Sequence, residues 1–147
     1  MSFLTRVEAA VRPSKNDIIP WVYGNCWSFA VGLAEVYGYA PQILANEDDL
    51  PDHAFVTSGS HAVDGSGVTT LSKLVNRFPE NHVDEEEDDP YHLISEMSRD
   101  HSDSGYTMDD AIEFIKKYRD FYDTAKGMQG YELTHSEVKR HFKQKRG

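Results

Sequence analysis

Three side chains in the first half of the chain have the types and the order of a nucleophile, a base and an orienting acid: Cys26, His53 and Asp64. Cys26 is the only cysteine among 147 residues. The thiolate is the reactive form of cysteine, and a helix start favours it because the amides there carry partial positive charge. An adjacent imidazolium stabilises the thiolate further and can return its proton to a leaving group. A carboxylate on the far ring nitrogen fixes the tautomer and orientation of the ring. His53 lies 27 residues after Cys26, and Asp64 lies 11 after His53. One helix, one strand and its hairpin partner suffice to join them.

The local pattern supplies those elements. Asn25 suits the N-cap of a helix from Cys26 to about Tyr37, with Phe29, Ala30, Leu33, Ala34 and Tyr37 at helical spacing. Gly38 suits its left-handed end. His53–Thr57 and Ser60–Asp64 flank Ser58-Gly59 as a hairpin. With those two residues as the turn, Thr57 faces Ser60, Val56 faces His61 and His53 faces Asp64. Alternation then places His53, Phe55 and Thr57 on the face of Ser60, Ala62 and Asp64. It sends His61, the alternative base, to the other face. The same alternation splits His53, His61 and Asp64 as a metal-ligand set, so neither metal nor other cofactor is expected. The oxyanion donors expected are the Cys26 N–H, Asn25 and Asn16. Trp21, Trp27 and Phe55 are the apolar candidates for a substrate cleft, although Trp27 reads more readily as core than as substrate platform.

The remaining elements frame this unit. Residues 2–12 read as an amphipathic helix stopped by Pro13. Residues 14–23 read as irregular and then apolar, with Pro20 demoting them to an edge strand or a packed lead-in. Pro41–Ala45 reads as a strand, residues 46–52 as an acidic loop, and residues 68–78 as a helix entered through Gly65-Ser66-Gly67. The run Asp84-Glu85-Glu86-Glu87-Asp88-Asp89 reads as a solvated boundary. Helices are expected over 91–100 and from a capping box at Thr107–Asp110 to about Tyr122, with Ile112, Ile115, Tyr118 and Tyr122 as its stripe. A last basic helix opens at Thr134-His135-Ser136-Glu137. The expected fold is α+β: a small antiparallel sheet on a central Cys-bearing helix, with helices added toward the C-terminus. The expected division is a core over 1–83, an acidic linker over 84–90 and a helical extension over 91–147.

Composition limits the function classes. A formal net charge of −10 argues against nucleic-acid binding, which needs clustered Lys and Arg. A content of 39% hydrophobic and 12% aromatic residues is enough for a packed core. One cysteine forms no internal disulfide, which fits a reducing compartment. Arg6, Glu8 and Arg12 interrupt any signal-peptide core, and no stretch approaches the roughly 18 apolar residues of a membrane span. A cytoplasmic protein without membrane contact is expected.

Gly24-Asn25-Cys26-Trp27-Ser28-Phe29-Ala30 resembles the nucleophile segment of papain-type proteases, where a glycine precedes the Cys by two and Trp follows it. His53-Ala54-Phe55-Val56 followed by Asp64 is similar to the histidine–aspartate part of transglutaminase-like proteins. The resemblance covers about residues 22–67. It implies a papain-like or transglutaminase-like cysteine hydrolase acting on an amide through a thioester, as a peptidase, deamidase or acyltransferase with a protein or peptide substrate. Papain-type proteases carry an oxyanion-donating glutamine upstream of the Cys; here the first glutamine is Gln42. Asn16, Asn25 or a backbone amide would take its place. The alternative reading is a non-enzymatic acidic binding or inhibitor protein, including an inactive relative of such enzymes, that recruits a basic partner through Asp84–Asp89.

Overall fold

The computed structural model describes residues 12–101, 103–133 and 135–146. The helix expected over 2–12 lies, apart from Arg12, outside the described residues, as does Thr134 of the last capping box. In chain order the elements are α1 (Lys15–Val22), α2 (Cys26–Tyr37), β1 (Ala40–Ala45), β2 (Pro51–Ser58), β3 (His61–Asp64) and β4 (Gly67–Thr70). There follow α3 (Leu71–Asn76), β5 (His82–Val83), α4 (Pro90–His101), α5 (Met108–Lys117), α6 (Arg119–Tyr122) and α7 (His135–Arg146). The chain is α+β, with the strands in one antiparallel sheet of order β4-β3-β2-β1-β5.

Strand alternation divides the interior in two. Ile43, Ala54, Val56 and Val63 pack with Cys26, Phe29, Ala30 and Leu33 of α2. Leu44, Phe55 and Ala62, on the opposite face, pack with Leu74 of α3. The helix α2 ends at Gly38, with φ 76°, as its sequence suggests. Helix α5 crosses it so closely that a Cβ on Gly32 would stand 2.9 Å from Ile115 Cδ1.

The hairpin of β2 and β3 keeps the expected faces but not the expected pairs. Ser58 pairs with His61, Thr57 with Ala62 and Val56 with Val63. The turn is therefore Gly59-Ser60 rather than Ser58-Gly59. Gly59, at φ 60°, supplies the left-handed first position of a type II′ turn, whereas a Ser58-Gly59 turn of type I′ would force Ser58 there. Moving the turn by one residue moves the register by two, which preserves the side-chain faces. Continuing the register sets Asp64 opposite Phe55, with His53 a diagonal step away.

Three further expectations change. Residues 15–22 are helical despite Pro20. The Ser14 hydroxyl accepts from Asp17 N at 3.2 Å to start the helix, and the buried run Ile18–Val22 hides any helical period. The helix expected over 68–78 shortens to α3, because the β-branched Val68, Thr69 and Thr70 pair with β3. Thr70 then caps α3, accepting from Lys73 N at 3.2 Å. The helix expected to reach Tyr122 breaks at Tyr118, which leaves α6 as a separate turn.

The segment beyond the acidic run shares the core. Ile94, Ala111, Ile115, Phe121 and Tyr122 belong to the same buried cluster as Cys26 and Phe29. Burying large apolar side chains such as Ile94, Ile115 and Phe121 stabilises by about 1.5–3 kcal/mol each. The boundary read at 84–90 thus separates stretches of sequence whose apolar side chains meet in one core. Thr107 and Asp110 form the capping box in both directions, with Asp in place of Glu.

Candidate active site

Cys26 is the first residue of α2, where helix geometry leaves its N–H without an intrahelical acceptor. His53 enters from β2 just beyond an irregularity in the pairing with β1, where Leu44 meets His53 and Ala45 meets Pro51. Asp64 closes β3. His53 Nε2 lies 3.2 Å from Asp64 Oδ2, and Cys26 is near enough to the His53 ring to act on its charge. With Nε2 on the carboxylate, Nδ1 is the nitrogen left for the sulfur.

Asp64 is held by more than histidine. Its Oδ1 accepts from Ser66 N at 3.0 Å and from Ser66 Oγ at 2.5 Å. Its Oδ2 accepts from Arg77 Nη2 at 2.9 Å, so His53 and Arg77 share one oxygen. Burial alone would lift the Asp64 carboxyl. The Arg77 charge, followed by the His53 and Ser66 hydrogen bonds, outweighs it and holds the group below the ordinary carboxylate range. Burial alone would likewise depress His53. Negative charge on Cys26, then the hydrogen bonds to Asp64 and Cys26, prevail and raise the imidazole to about 9. The arrangement thus favours the protonated form of the ring.

The group is enclosed. Cys26 is 4% exposed, and His53 and Asp64 are each 2% exposed. Phe78 stacks on the His53 ring with centroids 4.5 Å apart, and Tyr23 lies against Phe78 at 6.0 Å.

The other expected site residues are placed elsewhere or otherwise engaged. Asn25 is the N-cap residue by position, but its side chain makes no capping bond. Instead Nδ2 donates to Pro20 O at 3.2 Å and to Asp103 Oδ2 at 3.4 Å, while Oδ1 accepts from Asp103 N at 3.1 Å. Asn16 meets His141 Nδ1 at 3.5 Å and lines a separate groove of about 890 Å³ with Trp21, Tyr106 and Phe114. Of the three donors expected from the sequence, the Cys26 amide is thus the one left beside the sulfur. Trp21, Trp27 and Phe55 are buried and line no open cleft at Cys26: the two tryptophans belong to the core around α2, and Phe55 to the core under α3. His61 is exposed on the far face, where alternation puts it. Among the described residues no three His, Cys, Asp or Glu side chains converge to hold a metal.

Sequence reasoning missed Ser66, Arg77 and Phe78. Asp64-Gly65-Ser66-Gly67 closes a second hairpin whose turn residues are Gly65 and Ser66, and a serine two residues after an aspartate is a recognisable Asx-type partner. Arg77 and Phe78 follow α3, and a helix expected to run through residue 78 gives no sign that they meet Asp64 and His53.

Compared with protein-family models, curated proteins and solved structures, the chain matches none.

Proposed function

We propose that the chain is a cysteine-nucleophile hydrolase or acyl-transfer enzyme acting on an amide or related carbonyl. The observation that carries this reading is the Cys26–His53–Asp64 chain of contacts at the start of α2. The Cys26 thiolate attacks the carbonyl carbon, and charge moves to the carbonyl oxygen beside the Cys26 N–H. As the tetrahedral species collapses, the carbon–nitrogen bond breaks and the His53 imidazolium gives its proton to the leaving amine. The thioester then meets water or a second amine. Neutral His53 takes the incoming proton, and collapse returns the thiolate and the imidazolium. Asp64 keeps Nε2 engaged throughout, so that Nδ1 serves the sulfur and the substrate.

The direct test is acylation of native protein by an activated ester, with the modified residue located by mass spectrometry. Acylation at Cys26, followed by slow deacylation and lost in His53→Gln, is the expected result. Modification of Cys26 only after denaturation would mark it as a core thiol and end this reading.

A second reading has its own observation. Glu85, Glu86, Asp88 and Asp89 are exposed, and among the described residues no lysine or arginine forms an ion pair with the run 84–89. This unneutralised surface suits a basic protein partner. Neutralising Glu85, Glu86 and Asp88 should weaken salt-sensitive binding to a polybasic peptide, and unchanged binding would refute it. Such recruitment is compatible with catalysis.

A further inference from the structure

Arg77 stands at the C-terminus of α3 and spans from that helix to the carboxylate that orients His53. Its Nη2 donates to Asp64 Oδ2 at 2.9 Å. Its Nη1 is buried and has no acceptor within hydrogen-bond distance. A guanidinium holds its donors in a rigid planar fork, so a nitrogen that Asp64 does not use is held in fixed orientation beside the one it does use. Its surroundings include the rings stacked beside His53. The guanidinium acts on the Tyr23 phenol both by its charge and by a side-chain hydrogen bond, and the Phe78 ring centre is 5.8 Å from its central carbon. Phe78 is the ring that stacks on His53, and Tyr23 lies behind it. A buried cationic donor without an acceptor, Nη1, therefore lies beside the ring that stacks on His53.

We propose that Arg77 is a two-handed anchor, in which Nη2 fixes Asp64 and Nη1 receives a carboxylate of the substrate once the Tyr23 and Phe78 rings part. The inference rests on the cysteine-nucleophile reading and narrows it to substrates that carry a carboxylate near the reacting carbonyl, such as an acidic or C-terminal amide. A carboxylate is the acceptor that matches the donor best, because bonds between a guanidinium and an anion are about twice as strong as those between neutral groups. Ser66 already satisfies Asp64 Oδ1, so the inner carboxylate need not move when the second one arrives.

Iodoacetate and iodoacetamide differ in a carboxylate and little in size, so the ratio of their rates at Cys26 reads anion recognition separately from thiol reactivity. In the wild-type protein the ratio should exceed that in Arg77→Gln by about tenfold, the order expected for one charge-assisted hydrogen bond. Arg77→Lys keeps the charge but has one nitrogen, which either holds Asp64 or meets the reagent, and it should lose the preference too. An unchanged ratio in both variants overturns the proposal. A preference fully kept by Arg77→Lys overturns it as well, since charge alone would then suffice. On the wild-type protein, where folding of a variant is not in question, acetate should slow iodoacetamide saturably relative to chloride at equal ionic strength; no protection counts against the anchor. Should iodoacetamide modify Cys26 while these comparisons fail, the anchor falls and the nucleophile stands. If neither reagent reaches Cys26 in the native protein, both fall.

Discussion

Phe78 lies over His53, with the ring centroids 4.5 Å apart and the planes 26° from parallel. The contact shields one face of the imidazole, and Cys26 beside it is buried. Phe78→Ala should therefore open the site. We expect a bulky maleimide to modify Cys26 about tenfold faster in the variant, while a small haloacetamide gains only a few-fold; the stability loss should be about 1–3 kcal/mol, since Phe78 is only partly buried. Paired labelling rates for the two reagents make the measurement. Equal acceleration of both would place the barrier in the chemistry rather than in the cover.

The charges at the site set a pH dependence with a definite sign. His53 is raised from 6.5 to about 9 in the folded chain, so its proton stabilises the fold. That contribution is complete below about 6.5 and is lost as pH rises through about 9. Asp64 is held below its ordinary value of 3.8. Its contribution is present above that value and is lost as pH falls through the lower folded one. Denaturant midpoints measured across the range should thus decline on the alkaline side between those two His53 limits. His53→Gln should flatten the alkaline limb and leave the acid limb of Asp64 with Arg77.

Asp64 answers two cations and two donors from Ser66, and these should not be equal on removal. Asp64→Ala leaves Arg77 and the imidazolium without their anion, and breaking a buried pair in this way costs about 3–5 kcal/mol. Ser66→Ala removes one neutral donor while the Ser66 N–H stays on Oδ1, so a loss of about 0.5–1.5 kcal/mol is expected. Chemical denaturation at neutral pH compares the two. Similar losses would mean that the carboxylate is held by the turn rather than by charge.

Much of the frame was legible because helix caps and strand alternation are local. Asn25, Gly38 and the spacing of Phe29, Ala30 and Leu33 delimit α2 without reference to the rest of the chain. His53 and Asp64 were brought together by a register that is two residues from the true one. The conclusion survived because an even shift preserves the faces. What sequence reasoning could not show depends on contacts across distance. Arg77 reaches Asp64 from 13 residues away, after a helix whose length is set by β4 pairing with β3. The burial of Trp21, Trp27 and Phe55 was equally hidden, because an aromatic ring serves a core or a cleft with the same composition. Pro20 misled for a related reason: five consecutive buried residues erase the period by which a helix is recognised.

The residue before the nucleophile carries the last expectation. Asn25 is buried and holds Asp103 from both ends of its amide, at 3.1 Å to the Asp103 N–H and 3.4 Å to the carboxylate. It therefore fastens the connection between α4 and α5 to the start of α2. Asn25→Ala removes both bonds together with the one to Pro20 O, and should cost about 1–3 kcal/mol. Asp103→Ala removes only the longer bond, because the backbone N–H of residue 103 still donates to Asn25 Oδ1, and should cost no more than about 0.5–1 kcal/mol. Hydrogen exchange at residues 103–107 should quicken markedly in the first variant and little in the second. If the two variants loosen that segment equally, the carboxylate and not the backbone bond is its fastening. The rate of Cys26 alkylation would then report the position of the helix start independently, since only Asn25→Ala acts at the residue adjoining the sulfur.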